Sequence, residues 1–312
     1  MCYSSQIWAD YRKYVRAYGA DIDVQEFYRL YWLRSQGSGA KIPKGMDFAF
    51  LAAAGGREAE VAERIAEWNT KVVIDSEQLL FDQAQRLAAA ERKLAVKETK
   101  AALNDQRVAG NKIQQFKGWI ADAKRTQPEP GKDDRIWPDW YCPLLVAEGD
   151  RLVVRPMRYH CRPAGKPASI DRTADGKVSG TYNARRDNLE RFWQGQFGYT
   201  HGVMLAETFY ENVRQEDGTN RVVQFTPRSG ETMLVACLWS RWTGDGEELL
   251  SFAAITDEPE PEVAAMGHDR TIINLKPDYL ECWLRPDPHK LTALYEMFDD
   301  RRHPFYEHRL AA

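Results

Sequence analysis

CPLLVAEGDRLVVRPMRY, Cys142 to Tyr159, sets the runs Leu-Leu-Val and Leu-Val-Val on either side of Glu148-Gly149-Asp150. Two β-favouring runs around a glycine-containing turn predict a hairpin. Downstream, VVQFTP, TMLVACLWSRW and LLSFAAIT are further strand candidates, rich in β-branched and aromatic residues. DYLECWL, from Asp278, and Pro288 to Phe298 have a helical texture. Near the start, DIDVQEFYRLYWL predicts a helix with Asp23 as its N-cap. A mixed α+β body interrupted by a helical insertion is the simplest architecture.

That insertion lies upstream. From Arg57 to Ala109 there is no Gly or Pro, and Ala, Glu, Lys, Arg, Gln and Leu dominate. A continuous helix of this length spans roughly 80 Å at the standard rise. Gly55-Gly56 precedes it and Gly110-Asn111 interrupts its far end. Val73, Leu80, Leu87, Leu94, Ala101 and Val108 recur every seven residues, but the second row (Ser76, Gln83, Ala90, Lys97, Asn104) is mostly polar. A hairpin or projecting arm is therefore favoured over an extended dimeric coiled coil, and a solvated helical spacer remains the plain alternative. QPEPGKDDRIWPDW, Gln127 to Trp140, is a Pro- and Gly-rich boundary. The expected division is 1–39, 40–127 for the helical insertion, and 128–312.

The 312 residues carry 43 Lys+Arg against 46 Asp+Glu, which excludes a uniformly basic coat for nucleic acid or anionic membrane. The total conceals opposed segments. Arg151 to Trp193 holds ten basic and four acidic residues, whereas Asp245 to Glu262 holds seven acidic and no basic ones. No apolar run approaches the ~20 residues of a bilayer span. Charge begins too early for a signal peptide, and five scattered cysteines suit a reducing compartment. A cytoplasmic protein is expected, nucleoid-associated if bacterial.

Phosphate-loop, dinucleotide and zinc signatures are missing, so no cofactor and no metal are expected. Cys2 stands apart because of its position. Removal of Met1 leaves an α-amine and a thiol on adjacent carbons, with reference pKa values of about 8 and about 8.5. Such a 1,2-aminothiol condenses with an aldehyde to a Schiff base and then a thiazolidine. An N-terminal nucleophile hydrolase uses the same pair on amides.

Several segments, read in order, resemble the SRAP family, the SOS response-associated peptidases whose members crosslink to abasic sites in single-stranded DNA. Met1-Cys2 resembles the family start. RPMRY, Arg155 to Tyr159, resembles the strand R-P-M-R-W-G, and Asn183-Ala184-Arg185 resembles N-A-R. Phe209-Tyr210-Glu211 resembles G-(W/F)-(Y/F)-E-W, and His268-Asp269-Arg270 resembles H-D-R-M-P. The chain departs from the pattern in four places. Tyr3-Ser4 replaces Gly-Arg, Tyr159-His160 replaces W-G, Glu211-Asn212 replaces E-W, and Trp137-Pro138-Asp139-Trp140 lies where N-x-A-P belongs.

The resemblance implies an α+β fold with a mixed, largely antiparallel β core, flanking helices and the long insertion. It implies an autopeptidase with abasic-site crosslinking, lyase-type activity. Cys2 would be the covalent nucleophile once Met1 is removed by autoproteolysis, and Asn183 would position the amine. Glu211 would act as general acid/base, and His268 would open the abasic sugar and shuttle protons. Arg185, Arg270 and Arg158 would hold phosphates, with Tyr159 and Trp193 as stacking surfaces. The implied partner is single-stranded DNA with abasic sites, with a protein partner or self-association through the insertion.

Each residue also has a plain structural reading. Asn183 reads as a turn cap, Arg185-Arg186 as a solvated pair, Glu211 as the outward position of a strand, and His268 as a loop residue. The aromatics read as core. A noncovalent single-stranded-DNA-binding or adaptor protein on the same fold is the alternative function, and an amidase acting on other substrates a third.

Overall fold

A computed structural model describes residues 3–53, 55–214 and 218–311. Met1 and Cys2 lie outside them. The strands are β1 (Ser4–Ile7), β2 (Asp21–Ile22), β3 (Arg135–Ile136), β4 (Tyr141–Glu148), β5 (Arg151–Tyr159), β6 (Asn183–Arg185), β7 (His201–Arg214), β8 (Asn220–Pro227), β9 (Met233–Gly244), β10 (Glu247–Asp257), β11 (Thr271–Ile272) and β12 (Tyr306–Leu310). The helices are α1 (Tyr11–Tyr18), α2 (Val24–Ser35), α3 (Lys44–Leu51), α4 (Arg57–Val96), α5 (Lys100–Lys124), α6 (Pro261–Ala265), α7 (Leu280–Leu284) and α8 (Leu291–Asp299).

The opening hairpin forms where its sequence predicts it. β4 and β5 pair antiparallel down to Glu148↔Arg151, and Gly149 takes φ 56 in the two-residue turn. A left-handed first turn position favours glycine. From this hairpin the sheet closes into a barrel. β5 pairs parallel with β10, β10 antiparallel with β9, β9 with β7, and β7 with β4. Closure leaves no unpaired edge among these five strands and encloses an apolar interior. Leu144, Val146, Val154, Met157, Val203, Leu205, Ala236 and Phe252 are all fully buried. The fold class is α+β, with a barrel-like core, as its strand and helix patterns imply.

Asp23 does cap α2, since its Oδ1 accepts from Glu26 N at 3.1 Å. At the start of β7, His201 lies between Phe197 and Trp283. Its ring centroid is 3.9 Å from that of Trp283, and it bonds the Gly198 amide and the Trp283 carbonyl. Burial lowers its pKa to about 3, so the ring stays neutral.

β4 and β7 approach closely at Gly202. A Cβ there meets Leu144 Cδ2 at 2.7 Å and the Leu145 carbonyl oxygen at 3.3 Å. Gly202→Ala is therefore expected to destabilise the barrel by about 1–3 kcal/mol through overpacking. Thermal denaturation checks this; an unchanged melting temperature contradicts the tight contact.

The chain divides into two units. One comprises Met1–Leu30, Gly39–Ala49 and Glu129–Ala312; the other comprises Tyr31–Ser38 and Phe50–Pro128. Gly39–Ala49 thus clusters with the barrel, whereas the sequence reading places the boundary between residues 39 and 40. The reason is local: Tyr141 N bonds the Lys41 carbonyl, and Met46, Ala49 and Ile42 are buried.

In the second unit α4 and α5 lie antiparallel, with Arg86 paired to Asp105 and Lys124 to Glu77. The helix breaks at Lys97, whose φ of −156 is extended, and restarts where the Thr99 side chain caps Ala102 N. Gly110-Asn111, read as the interruption, lies inside α5. The buried seam is also not the apolar row. It runs through Ser76 and Ala90 on one helix and Ala102, Ala109 and Phe116 on the other. Small side chains allow two helices to approach, so Ser76 and Ala90 of the mostly polar row are buried, while Lys97 and Asn104 of that row are exposed.

Candidate active site

Glu211 sits near the end of β7, paired with Val223 on β8. It is fully buried. β1 runs along β7 with Ser4↔Tyr210, and the Tyr3 amide donates to the Tyr210 carbonyl at 3.1 Å. Cys2 itself lies outside the described residues, but its chain neighbour is thereby bonded beside Glu211.

His268 follows α6, after Gly267 at φ 87. Its Nε2 lies 3.3 Å from Glu211 Oε2, and its Nδ1 lies 2.8 Å from the Arg270 carbonyl oxygen. A carbonyl only accepts, so Nδ1 carries the proton and Nε2 presents its lone pair to the carboxyl. Burial pushes the Glu211 carboxyl up to about 8, with the Asp269 charge adding and the Tyr3 amide opposing. Burial also lowers the His268 pKa. A neutral carboxylic acid donating to a neutral imidazole satisfies both shifts. At neutral pH the pair holds one mobile proton between two acceptors, the arrangement expected of an acid/base couple.

Asn183 opens β6, which adds parallel to β10 through Ala254↔Asn183. It is 6% exposed. Its Oδ1 is 3.5 Å from the Tyr159 hydroxyl, and its Nδ2 has no hydrogen-bond partner among the described residues. A buried donor without a partner costs about 1–3 kcal/mol, so an acceptor supplied by a ligand has a ready place. The residue lines a cleft of about 290 Å³ with Gly180, Thr181, Arg185, Phe192, Trp193 and Arg270. A second cleft, of about 280 Å³, shares Arg185 and Arg270 and adds Arg186, Thr256 and Asp257. The segment His268–Arg270 therefore has the Glu211 pair at its start and the Asn183 cleft at its end.

Three expected DNA contacts are corrected by burial. Tyr159 is fully buried, stacked on Phe252 at 5.3 Å, so its ring presents no surface to a base. Its hydroxyl orients Asn183 instead. Arg158 is 13% exposed and engages Asp171 at 2.8 Å and the His160 carbonyl at 3.1 Å, which leaves it little freedom to reach a phosphate. Trp193 is likewise nearly buried, at 2%. Arg185 is half exposed beside Asp187, and Arg270 is 18% exposed beside Asp269.

The basic segment is also less basic in space than in sequence. Arg151 pairs with Asp21, Arg155 with Asp23 and Glu148, Arg162 with Asp171, and Arg172 with Asp139. Arg186 meets Asp257 of the acidic run, so the two opposed segments neutralise each other directly. A residue missed in the sequence is Arg135 on β3. Its guanidinium bonds Ser4 Oγ at 3.1 Å and lies 3.6 Å over the Tyr210 ring. A cation therefore stands at position 4 although the residue there is serine. Only the β1–β3 pairing reveals it.

The family described as SOS response associated peptidase (SRAP) matches residues 93–308. The chain belongs to the SRAP family. Membership brings a DNA-associated function, the theme of DNA damage and the SOS response, and a general link to autopeptidase and DNA-crosslinking activity. Among solved structures, this SRAP protein is similar to a protein from Bordetella bronchiseptica, 18% identical, with a TM-score of 0.48 over 57% of this chain and 87% of that one. It is also similar to a protein from Bacteroides thetaiotaomicron, 14% identical, with a TM-score of 0.44 over 57% and 78% of the two chains. No curated protein sequence matches. No described helix is long and apolar enough to cross a membrane.

Proposed function

We propose that this SRAP protein senses abasic sites in single-stranded DNA and closes a thiazolidine on them through Cys2, after autoproteolytic removal of Met1. The observation that carries the reading is the buried Glu211–His268 couple, one strand position from the amide of Tyr3. The Tyr3 amide donates to the Tyr210 carbonyl, the residue before Glu211, which supports assigning the chemistry to the residue that precedes Tyr3.

His268 takes the proton of the C1 hydroxyl as the bond from C1 to the ring oxygen breaks, and returns it to that oxygen, leaving an aldehyde and a free hydroxyl. The Cys2 amine adds to the aldehyde carbon, one of its protons passing to the oxygen. Glu211 protonates the resulting hydroxyl, which leaves as water, and recovers the second nitrogen proton to give the imine. The thiol sulfur then adds to the imine carbon, its proton passing to the nitrogen, and the ring closes. Asn183 Nδ2 donates to a sugar oxygen or to the lone pair of the Cys2 amine nitrogen. Arg185 and Arg270 hold flanking phosphates.

The test is incubation of the purified protein, with Met1 loss verified by intact mass, with single-stranded DNA carrying one abasic site. A denaturant-resistant adduct is expected. Its absence from protein confirmed to lack Met1 sinks the reading. A further expectation concerns the arginines. Single-stranded DNA binding weakens as salt rises with a slope of about −0.7 per phosphate neutralised. Arg185→Ala with Arg270→Ala should flatten that slope by roughly 1.4 in a fluorescence titration; an unchanged slope removes both from the DNA path.

A further inference from the structure

His160 stands in backbone geometry suited to glycine, at φ 155, and Asp139 beside it is left-handed at φ 75. Strain of this kind persists only where the surroundings impose it, and it concentrates at functional sites. Here Asp139 N is held by the Tyr159 carbonyl at 2.8 Å and His160 N by the Phe252 carbonyl at 3.1 Å. The two side chains meet. Asp139 Oδ1 lies 2.7 Å from His160 Nδ1, His160 Nε2 lies 3.0 Å from Ser179 Oγ, and Ser179 Oγ lies 3.1 Å from Thr181 Oγ1.

The proton order in this chain follows from its ends. Although burial alone would raise the Asp139 pKa, hydrogen bonds from His160 and Arg172 hold it well below the usual carboxylate range. The carboxylate only accepts, so Nδ1 carries the ring proton. With the imidazole neutral, Nε2 offers a lone pair, and the Ser179 hydroxyl donates to it. Thr181 then donates to Ser179 Oγ. The contrast with His201 is informative. That buried histidine is satisfied by two backbone groups, with no carboxylate and no hydroxyl. His160 has the carboxylate on Nδ1 and the hydroxyl on Nε2, the polarity of a serine nucleophile with its base and orienting acid.

His160 is fully buried and Ser179 nearly so, at 9% exposed, so an ester reaches Ser179 only by way of the adjoining cleft. The next two residues, Gly180 and Thr181, line the cleft shared with Asn183, Arg185 and Phe192.

We propose that Asp139, His160 and Ser179 form a second reactive site, in which Ser179 is an acyl-accepting nucleophile toward small carboxylic esters entering beside Gly180. Ser179 Oγ bonds to the ester carbonyl carbon while its proton passes to His160 Nε2. The collapse of that intermediate breaks the carbon–alkoxide bond, and the alkoxide takes the proton from Nε2 and leaves as an alcohol. Water then repeats the sequence on the acyl-serine, releasing the carboxylic acid and restoring the hydroxyl. This activity is independent of the Cys2 chemistry.

The experiment uses full-length protein with a fluorophosphonate probe and p-nitrophenyl acetate. Peptide mass spectrometry is expected to find the phosphonate on Ser179. Ester hydrolysis should fall at least about a hundredfold in Ser179→Ala and persist in Cys2→Ala. Absence of phosphonate from Ser179 in folded wild-type protein overturns the proposal without recourse to any variant. Hydrolysis unchanged in Ser179→Ala overturns it too, and leaves the three residues as a fold-stabilising network. Abasic-site crosslinking measured on the same preparations reports separately on the Cys2 reading.

Discussion

Cys2→Ala is expected to abolish the denaturant-resistant adduct with abasic single-stranded DNA while leaving noncovalent binding unchanged. The expectation follows from the two functional groups of the 1,2-aminothiol. In a variant whose Met1 is removed by an aminopeptidase instead of autoproteolysis, and verified by intact mass, alanine keeps the α-amine, so an imine with the aldehyde still forms. Without sulfur to add to the imine carbon, water hydrolyses it back to amine and aldehyde. Borohydride added during incubation should therefore rescue a covalent band in the variant, by reducing the imine to a stable amine. Without borohydride no band should survive. A full adduct in Cys2→Ala without reductant would falsify ring closure by Cys2. The binding arm matters equally, because loss of binding would mean that the substitution disturbs the pairing of β1 with β7.

Glu211→Gln should have the second largest effect, with a characteristic pH signature. With its carboxyl pushed up to about 8, Glu211 is a neutral acid at pH 7 and can protonate the leaving hydroxyl during imine formation. The wild-type crosslinking rate should fall as pH rises through about 8, as the carboxyl ionises. The variant should be slower by about 10²–10⁴-fold and lack that breakpoint. Single-turnover gel kinetics from pH 6 to 9 read both features. An unchanged rate at pH 7 removes Glu211 from the chemistry.

The same residue makes a stability prediction of opposite sign. Its folded pKa exceeds the reference value of 4.5, so the folded state binds more protons than the unfolded one between about 4.5 and about 8. Stability is then highest below that window and declines as pH rises through it. Glu211→Gln should abolish this decline and be the more stable protein at pH 9, by on the order of a few kcal/mol. Denaturant unfolding at pH 5 and pH 9 measures it. A substitution that slows the reaction yet stabilises the protein at high pH is hard to explain by general damage.

What was legible in the sequence depended on short-range physics. Gly149 marks the β4–β5 turn because a two-residue hairpin needs a left-handed residue there. Asp23 marks the start of α2 because a carboxylate satisfies a free helical amide. The strands β8, β9 and β10 show themselves through β-branched and aromatic runs. Ordered motifs pointed to Asn183, Glu211 and His268, and structure brings the last two into contact. The positions at which motif reasoning misplaced a role are those decided by burial. Tyr159 carries the same residue type whether it stacks on a base or on Phe252.

The α+β class, the hairpin at Gly149, the helical composition of Arg57 to Ala109 and the family motifs can be read from residue order alone, because each depends on neighbours within a few residues. The remaining features arise from long-range packing. Barrel closure through β5 and β10 joins residues about a hundred positions apart. The helix seam chose Ser76, Ala90 and Ala102 over the leucines because two helices must approach, which helical periodicity does not encode. The cations of Arg151 to Trp193 lost most of their field to carboxylates from distant segments. Arg135 came to Ser4, and Ser179 to His160 and Asp139, by the same long-range pairing. Electrostatic partnership depends on distance in space, and that is set by the closed sheet.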